Sequence, residues 1–146
     1  MSRVGGFRLA LTWLTIIPVP VHGTVDRDAA RRALQWTPLV GLLLGLLAAG
    51  VLAGFDLLGA PPLLAGLLVV AVLALATRGM HLDGLADTTD GLGCSSGSQR
   101  ALAVMRDGSA GPFAVVALAL TLALQASALA ALLTACLLYT SPSPRD

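Results

Sequence analysis

Lysine and glutamate are missing altogether: all nine basic residues are arginine, all eight acidic ones are aspartate, and only 12% of the 146 residues are charged. That is about half the share found in ordinary soluble domains. A formal net charge of +1 gives bulk electrostatics no part in recruiting a partner, so no nucleic acid is expected. Cysteine is scarce too. Cys94 sits in a polar stretch and Cys136 in an apolar run, a pair that suggests neither a disulfide framework nor zinc-ligand spacing. The glycine-rich GLGCSSGS at 91–98 lacks the lysine of a P-loop and follows no evident strand, so it makes a weak nucleotide cradle. What remains is apolar. With 56% hydrophobic residues and a mean hydropathy of +0.85, the composition is that of a membrane protein.

Three stretches approach the roughly 20 apolar residues needed to cross a bilayer: residues 37–55, 60–77 and 112 to about 135. Gly41 and Gly45 in the first form a small-xxx-small pair of the kind that lets a second helix approach closely. Pro61 and Pro62 open the second, where a missing N–H costs little. The earlier segment 7–21 is shorter, carries Arg8 and is broken by Pro18 and Pro20, so it is read as an interfacial or re-entrant helix. A cleaved signal peptide is the rival, but no clean small-x-small site follows it. The expected fold is therefore all-α: a polytopic integral membrane helical bundle with an N-terminal interfacial or re-entrant helix and three transmembrane helices.

Arginines set the orientation. Arg27, Arg31 and Arg32 precede the first span, Arg78, Arg100 and Arg106 lie between the second and third, and the link at 56–59 has none. Basic loops stay cytoplasmic, which puts both arginine-bearing loops on that side. Trp13 and Trp36 fall near the expected interfaces, an ordinary place for aromatics. At the other end, LLYTSPSPRD at 137–146 interrupts an Ala/Leu helix with Tyr, Ser, Pro and charge. It reads as a helix stop and a disordered tail, and it resembles translated adapter sequence. A native chain ending near Cys136 is the expectation, with 1–136 one membrane-embedded domain.

HLDGLADTTDG at 81–91 follows the second span directly and gathers Asp83, Asp87 and Asp90 with no basic residue among them. If the span continues as a helix past the surface, these stand at i, i+4 and i+7 and share one side. Carboxylates one turn apart, about 6 Å, repel by about 3 kcal/mol at an effective dielectric of 20. A divalent cation relieves that repulsion, and hard oxygen donors with open positions suit Mg²⁺ or Mn²⁺ beside a phosphate substrate. The bland alternative is a solvated helix end. His81 reads as an interfacial or packing histidine, because its i+2 relation to Asp83 puts it on another face. Arg78 has two readings, headgroup anchor or phosphate ligand. Arg106, in MRDG at 105–108, brings a second guanidinium into the same loop.

HLDGLADTTDG, together with TPLVGLLLG at 37–45, TIIPVP at 15–20 and VMRDG at 104–108, resembles the cobalamin synthase (adenosylcobinamide-GDP ribazoletransferase) family. The resemblance runs from the N-terminus to about residue 135 and corresponds to the N-terminal half of a longer, truncated membrane enzyme. It implies transfer of an adenosylcobinamide-phosphate group from adenosylcobinamide-GDP to α-ribazole or its 5′-phosphate, with GMP released. It also implies a bacterial inner-membrane location, Mg²⁺ as cofactor, and an isolated chain that is inactive. On that basis Asp83 and Asp87 hold the metal, Asp90 is either the general base or a third ligand, and Arg106 clamps a phosphate oxygen.

Two alternatives have separate signatures. A CDP-alcohol phosphotransferase opens its acidic motif with DG-x-x-AR, whereas here Ala86 is followed by Asp87. A cation transporter or channel would carry carboxylates inside the spans, at a cost of about 3 kcal/mol each at the helix centre; all three motif aspartates follow the apolar run instead.

Overall fold

The computed structural model describes residues 3–20, 25–95 and 97–140, and every regular element in them is helical. In chain order these are α1 (Arg3–Leu14), α2 (Arg27–Leu57), α3 (Pro62–Ala76), α4 (Met80–Gly93), α5 (Ser98–Asp107) and α6 (Pro112–Thr140). The all-helical membrane architecture expected from the apolar runs is present. Helices α2 and α6 are long and apolar enough to cross a bilayer, and α3 with α4 forms a third span only if that bent pair is counted as one. Leu42, Leu46, Leu120 and Leu124 lie exposed on the two long helices, the arrangement of a protein whose outer solvent is lipid.

Helix α2 starts ten residues before the apolar run does. Asp26 caps it, its Oδ1 accepting from the Ala29 N–H at 2.7 Å. Pro38 lies inside the helix, where its ring removes one backbone donor without ending the element. Helix α1 packs on this early part of α2. Leu9 and Ala10 are buried against Ala33 and Val40, Phe7 meets Trp36 edge-on at 5.6 Å, and Gly6 lies against the Arg32 backbone. At 12 residues, about 18 Å long, α1 is too short to span, as the sequence indicates.

The remaining bundle is built on α3. Leu52 of α2, Ala65 and Val69 of α3 and Leu133 of α6 form one buried cluster. Gly66 lets α3 and α6 approach closely, because a Cβ there would strike the Ala126 carbonyl of α6. Helix α6 runs to Thr140, past the expected stop at 137; residues 141–146 of the expected tail lie outside the described residues.

One expectation fails. The second span does not continue straight into the acidic motif: α3 and α4 meet at 91°. Arg78 at φ 56° and Gly79 at φ 66° take left-handed conformations in succession, and the Gly79 N–H returns to the Ala74 carbonyl at 2.7 Å. Such a pair ends a helix, and Gly79 adopts it without the penalty a Cβ brings to Arg78. With α3 along the membrane normal, α4 lies close to the membrane plane.

Candidate functional site around the acidic helix

The three motif aspartates fall on α4 in three environments. Asp83, in its first turn, is exposed, Asp87 is half-buried, and Asp90 is buried with 8% of its surface accessible. A 14-residue helix lying across the end of the bundle turns one edge toward α6 and leaves its start free. The i, i+4, i+7 spacing therefore survives, but the carboxylates do not share one fate.

Both carboxylate oxygens of Asp90 accept a hydrogen bond. Its Oδ2 accepts from the Gly111 N–H at 2.5 Å and its Oδ1 from the Ala114 N–H at 2.9 Å. The Gly111 N–H is that of the N-cap residue itself, while the Ala114 N–H belongs to the first turn of α6 and is of the kind an N-cap side chain ordinarily satisfies. Gly111 precedes Pro112 and has no side chain to do so; a carboxylate 21 residues earlier in the chain does it instead. A Cβ on Gly111 would come within 2.8 Å of Asp90 Oδ1, so the glycine is what admits the carboxylate. The negative charge also meets the positive end of the α6 dipole. Neighbouring contacts close the same joint, with Gly91 against Met105 of α5 and Gly93 against Phe113 of α6. This capping contact stands beside the two roles expected from the sequence, general base or third metal ligand.

Asp83 and Asp87 make no side-chain hydrogen bond among the described residues, and no group of three His, Cys or acidic side chains there comes together to hold a metal ion. The donor chemistry available is thus a pair of carboxylates, unopposed by any cation on α4. That pair fits Mg²⁺, which commonly takes one or two protein carboxylates and completes its shell with water and substrate phosphate.

Arg78 is committed elsewhere. Its Nη2 donates to the Thr15 carbonyl at 3.0 Å and the Thr12 carbonyl at 3.3 Å, while the Ile16 N–H donates to the Ala76 carbonyl at 2.8 Å. The guanidinium tethers the end of α1 to the α3–α4 turn, and a phosphate there would have to share it with two carbonyls. Arg106 is exposed in the last turn of α5 and stands outside the cavity that Asp90 lines. That cavity, about 340 Å³, is bordered by Asp90, Cys94, Arg100, Ser109 and Gly111. Arg100 is the basic residue at this joint. In the sequence it registers only as one arginine of a cytoplasmic loop, since nothing in its spacing links it to the aspartates.

The family model described as "Cobalamin-5-phosphate synthase" matches residues 6–143. A protein of Nocardioides sp. named adenosylcobinamide-GDP ribazoletransferase is 50% identical over 127 residues, covering 87% of this chain and 56% of its own length. Proteins of the same name from Geotalea daltonii and Frankia casuarinae are 47% and 41% identical, with 51% and 49% of their lengths covered by 86% and 88% of this chain. No solved structure matches. The chain spans about half the length of the curated relatives it matches. With an acidic helix joined to the membrane bundle and a family match over nearly all of its residues, the chain belongs to the cobalamin-5-phosphate synthase family.

Proposed function

We propose that this chain is the N-terminal part of an adenosylcobinamide-GDP ribazoletransferase of the bacterial inner membrane. The observation that carries the reading is the family match across residues 6–143, with a relative of that name 50% identical over 127 residues. The reaction joins α-ribazole or its 5′-phosphate to the cobinamide. A ribose hydroxyl attacks the phosphorus on the cobinamide side of the diphosphate, the bond from that phosphorus to the bridging oxygen breaks, and GMP departs with the electron pair.

Asp83 and Asp87 would hold Mg²⁺, whose charge offsets that of the diphosphate and of the leaving GMP. Having no hydrogen-bond partner of their own among the described residues, these two carboxylates are also the acidic oxygens left to receive the hydroxyl proton. Asp90 works as a positioning residue. By fastening α4 to the start of α6, it sets where Asp87, one turn earlier, stands relative to the bundle. Arg100 and Arg106 supply guanidinium groups on the same side for the guanylate phosphate. The arginine distribution supports a cytoplasmic position for α4, where a water-soluble nucleotide substrate is met.

A chimera tests the reading: residues 1–135 of this chain followed by the unmatched remainder of the Nocardioides relative. In lipid nanodiscs with Mg²⁺ and α-ribazole it should release GMP only when adenosylcobinamide-GDP is present. Release of CMP from a CDP-alcohol, or no GMP, would refute it.

A further inference from the structure

A cavity of about 580 Å³ among the described residues is a groove between α2, α3, α4 and α6. Leu44, Val70, Leu73, Leu122 and Leu129 give it an apolar wall. Gly41 and Gly45 form its α2 side, and a Cβ added at either would meet nothing within 4 Å. The ridge suited to close helix packing therefore faces open space.

A polar side chain stands in this wall. Gln125 of α6 lines the groove, is exposed, and makes no side-chain hydrogen bond among the described residues. It lies within the apolar span Pro112–Ala135, about 20 Å along the helix from its start and hence deep in a hydrocarbon core about 30 Å thick. A lipid tail offers this amide no partner, whereas a side chain on a neighbouring helix does. The relatives supply the chain length, since this sequence accounts for 56% and 51% of the first two.

We propose that the groove seats a transmembrane helix from the C-terminal part of the full-length protein, packed across Gly41 and Gly45 and bringing a hydrogen-bonding side chain level with Gln125. The inference rests on the family membership and not on the transferase chemistry. A helix is the fitting occupant because only a segment that satisfies its own backbone hydrogen bonds can lie along a lipid-facing groove. His81, at the α3–α4 turn, lines the same groove, so the incoming helix would also reach the side of the bundle that bears the acidic motif.

The test places a photo-crosslinking amino acid at Leu44 or Leu122 in the chimera described above, in native membranes, with adducts mapped by mass spectrometry. Adducts within one chain, on a peptide of the appended part, are expected from both positions. Adducts solely to lipid, or between two copies of the chain, would overturn the proposal. Gly45→Leu supplies the second measurement. It should leave the thermal unfolding of the 146-residue chain unchanged, because the space is open, and lower the crosslink yield of the chimera by about tenfold, because the small-residue ridge is filled. Equal unfolding shifts in both proteins, with the crosslink intact, would also overturn it. GMP release enters neither readout, so a failed transferase assay leaves this result interpretable.

Discussion

Replacing Asp90 with alanine removes the acceptor for two α6 donors at once. The Gly111 and Ala114 N–H groups would lose contacts of 2.5 and 2.9 Å inside a joint where Asp90 is only 8% exposed. Each hydrogen bond to a charged acceptor contributes about 1.5 kcal/mol at the low end, so the pair holds about 3 kcal/mol, a factor of about 150 in the local opening equilibrium. Hydrogen exchange of the peptide around residues 110–116, followed by mass spectrometry in detergent micelles, reads that factor directly. Asp90→Ala should speed exchange there while leaving the α3 core around Val69 protected; Asp90→Asn, with one acceptor oxygen left, should fall between. Unchanged protection at Gly111 and Ala114 would refute the capping role and return Asp90 to the chemistry.

Three further outcomes follow from the same geometry. Gly111→Ala should reproduce the exchange phenotype of Asp90→Ala, because its methyl group would enter the space of the carboxylate. Arg78→Gln should release the end of α1, seen as faster proteolysis around residues 15–20 with the α3–α6 core intact, since the guanidinium bridges Thr12 and Thr15 to the α3–α4 turn. Gly66→Leu should lower the unfolding temperature of the 146-residue chain by several degrees, roughly what about 2 kcal/mol of overpacking produces, because α3 lies against the Ala126 carbonyl at that point.

The sequence carried the membrane architecture because apolar runs need no tertiary information: residues 37–55 and 112–135 fall inside α2 and α6. It also distinguished α1 as a short helix, from its length and prolines. The turn into α4 was harder to see. Gly79 just past the apolar run is an ordinary helix-ending signal, but a straight continuation keeps the aspartates on one face equally well, and helical spacing alone does not distinguish the two. The capping contact of Asp90 is not legible in the sequence, since its partners lie 21 and 24 residues away and no local pattern links a carboxylate to a distant helix start. Arg78 is ambiguous for the same reason: its acceptors, Thr12 in α1 and Thr15 just past its end, lie more than 60 residues earlier. Asp83 and Asp87 keep the character that spacing gave them, two neighbouring carboxylates with no cation on their helix.

The most direct test titrates Mg²⁺ against GMP release in the chimera, with Asp87→Asn as the variant. Loss of a metal-holding carboxylate should weaken the Mg²⁺ dependence and lower turnover by about 100-fold, the scale of a lost electrostatic contribution to phosphoryl transfer, while exchange at Gly111 and Ala114 stays slow. Unaltered Mg²⁺ dependence and turnover in Asp87→Asn would contradict the assignment of the acidic helix as the cation site.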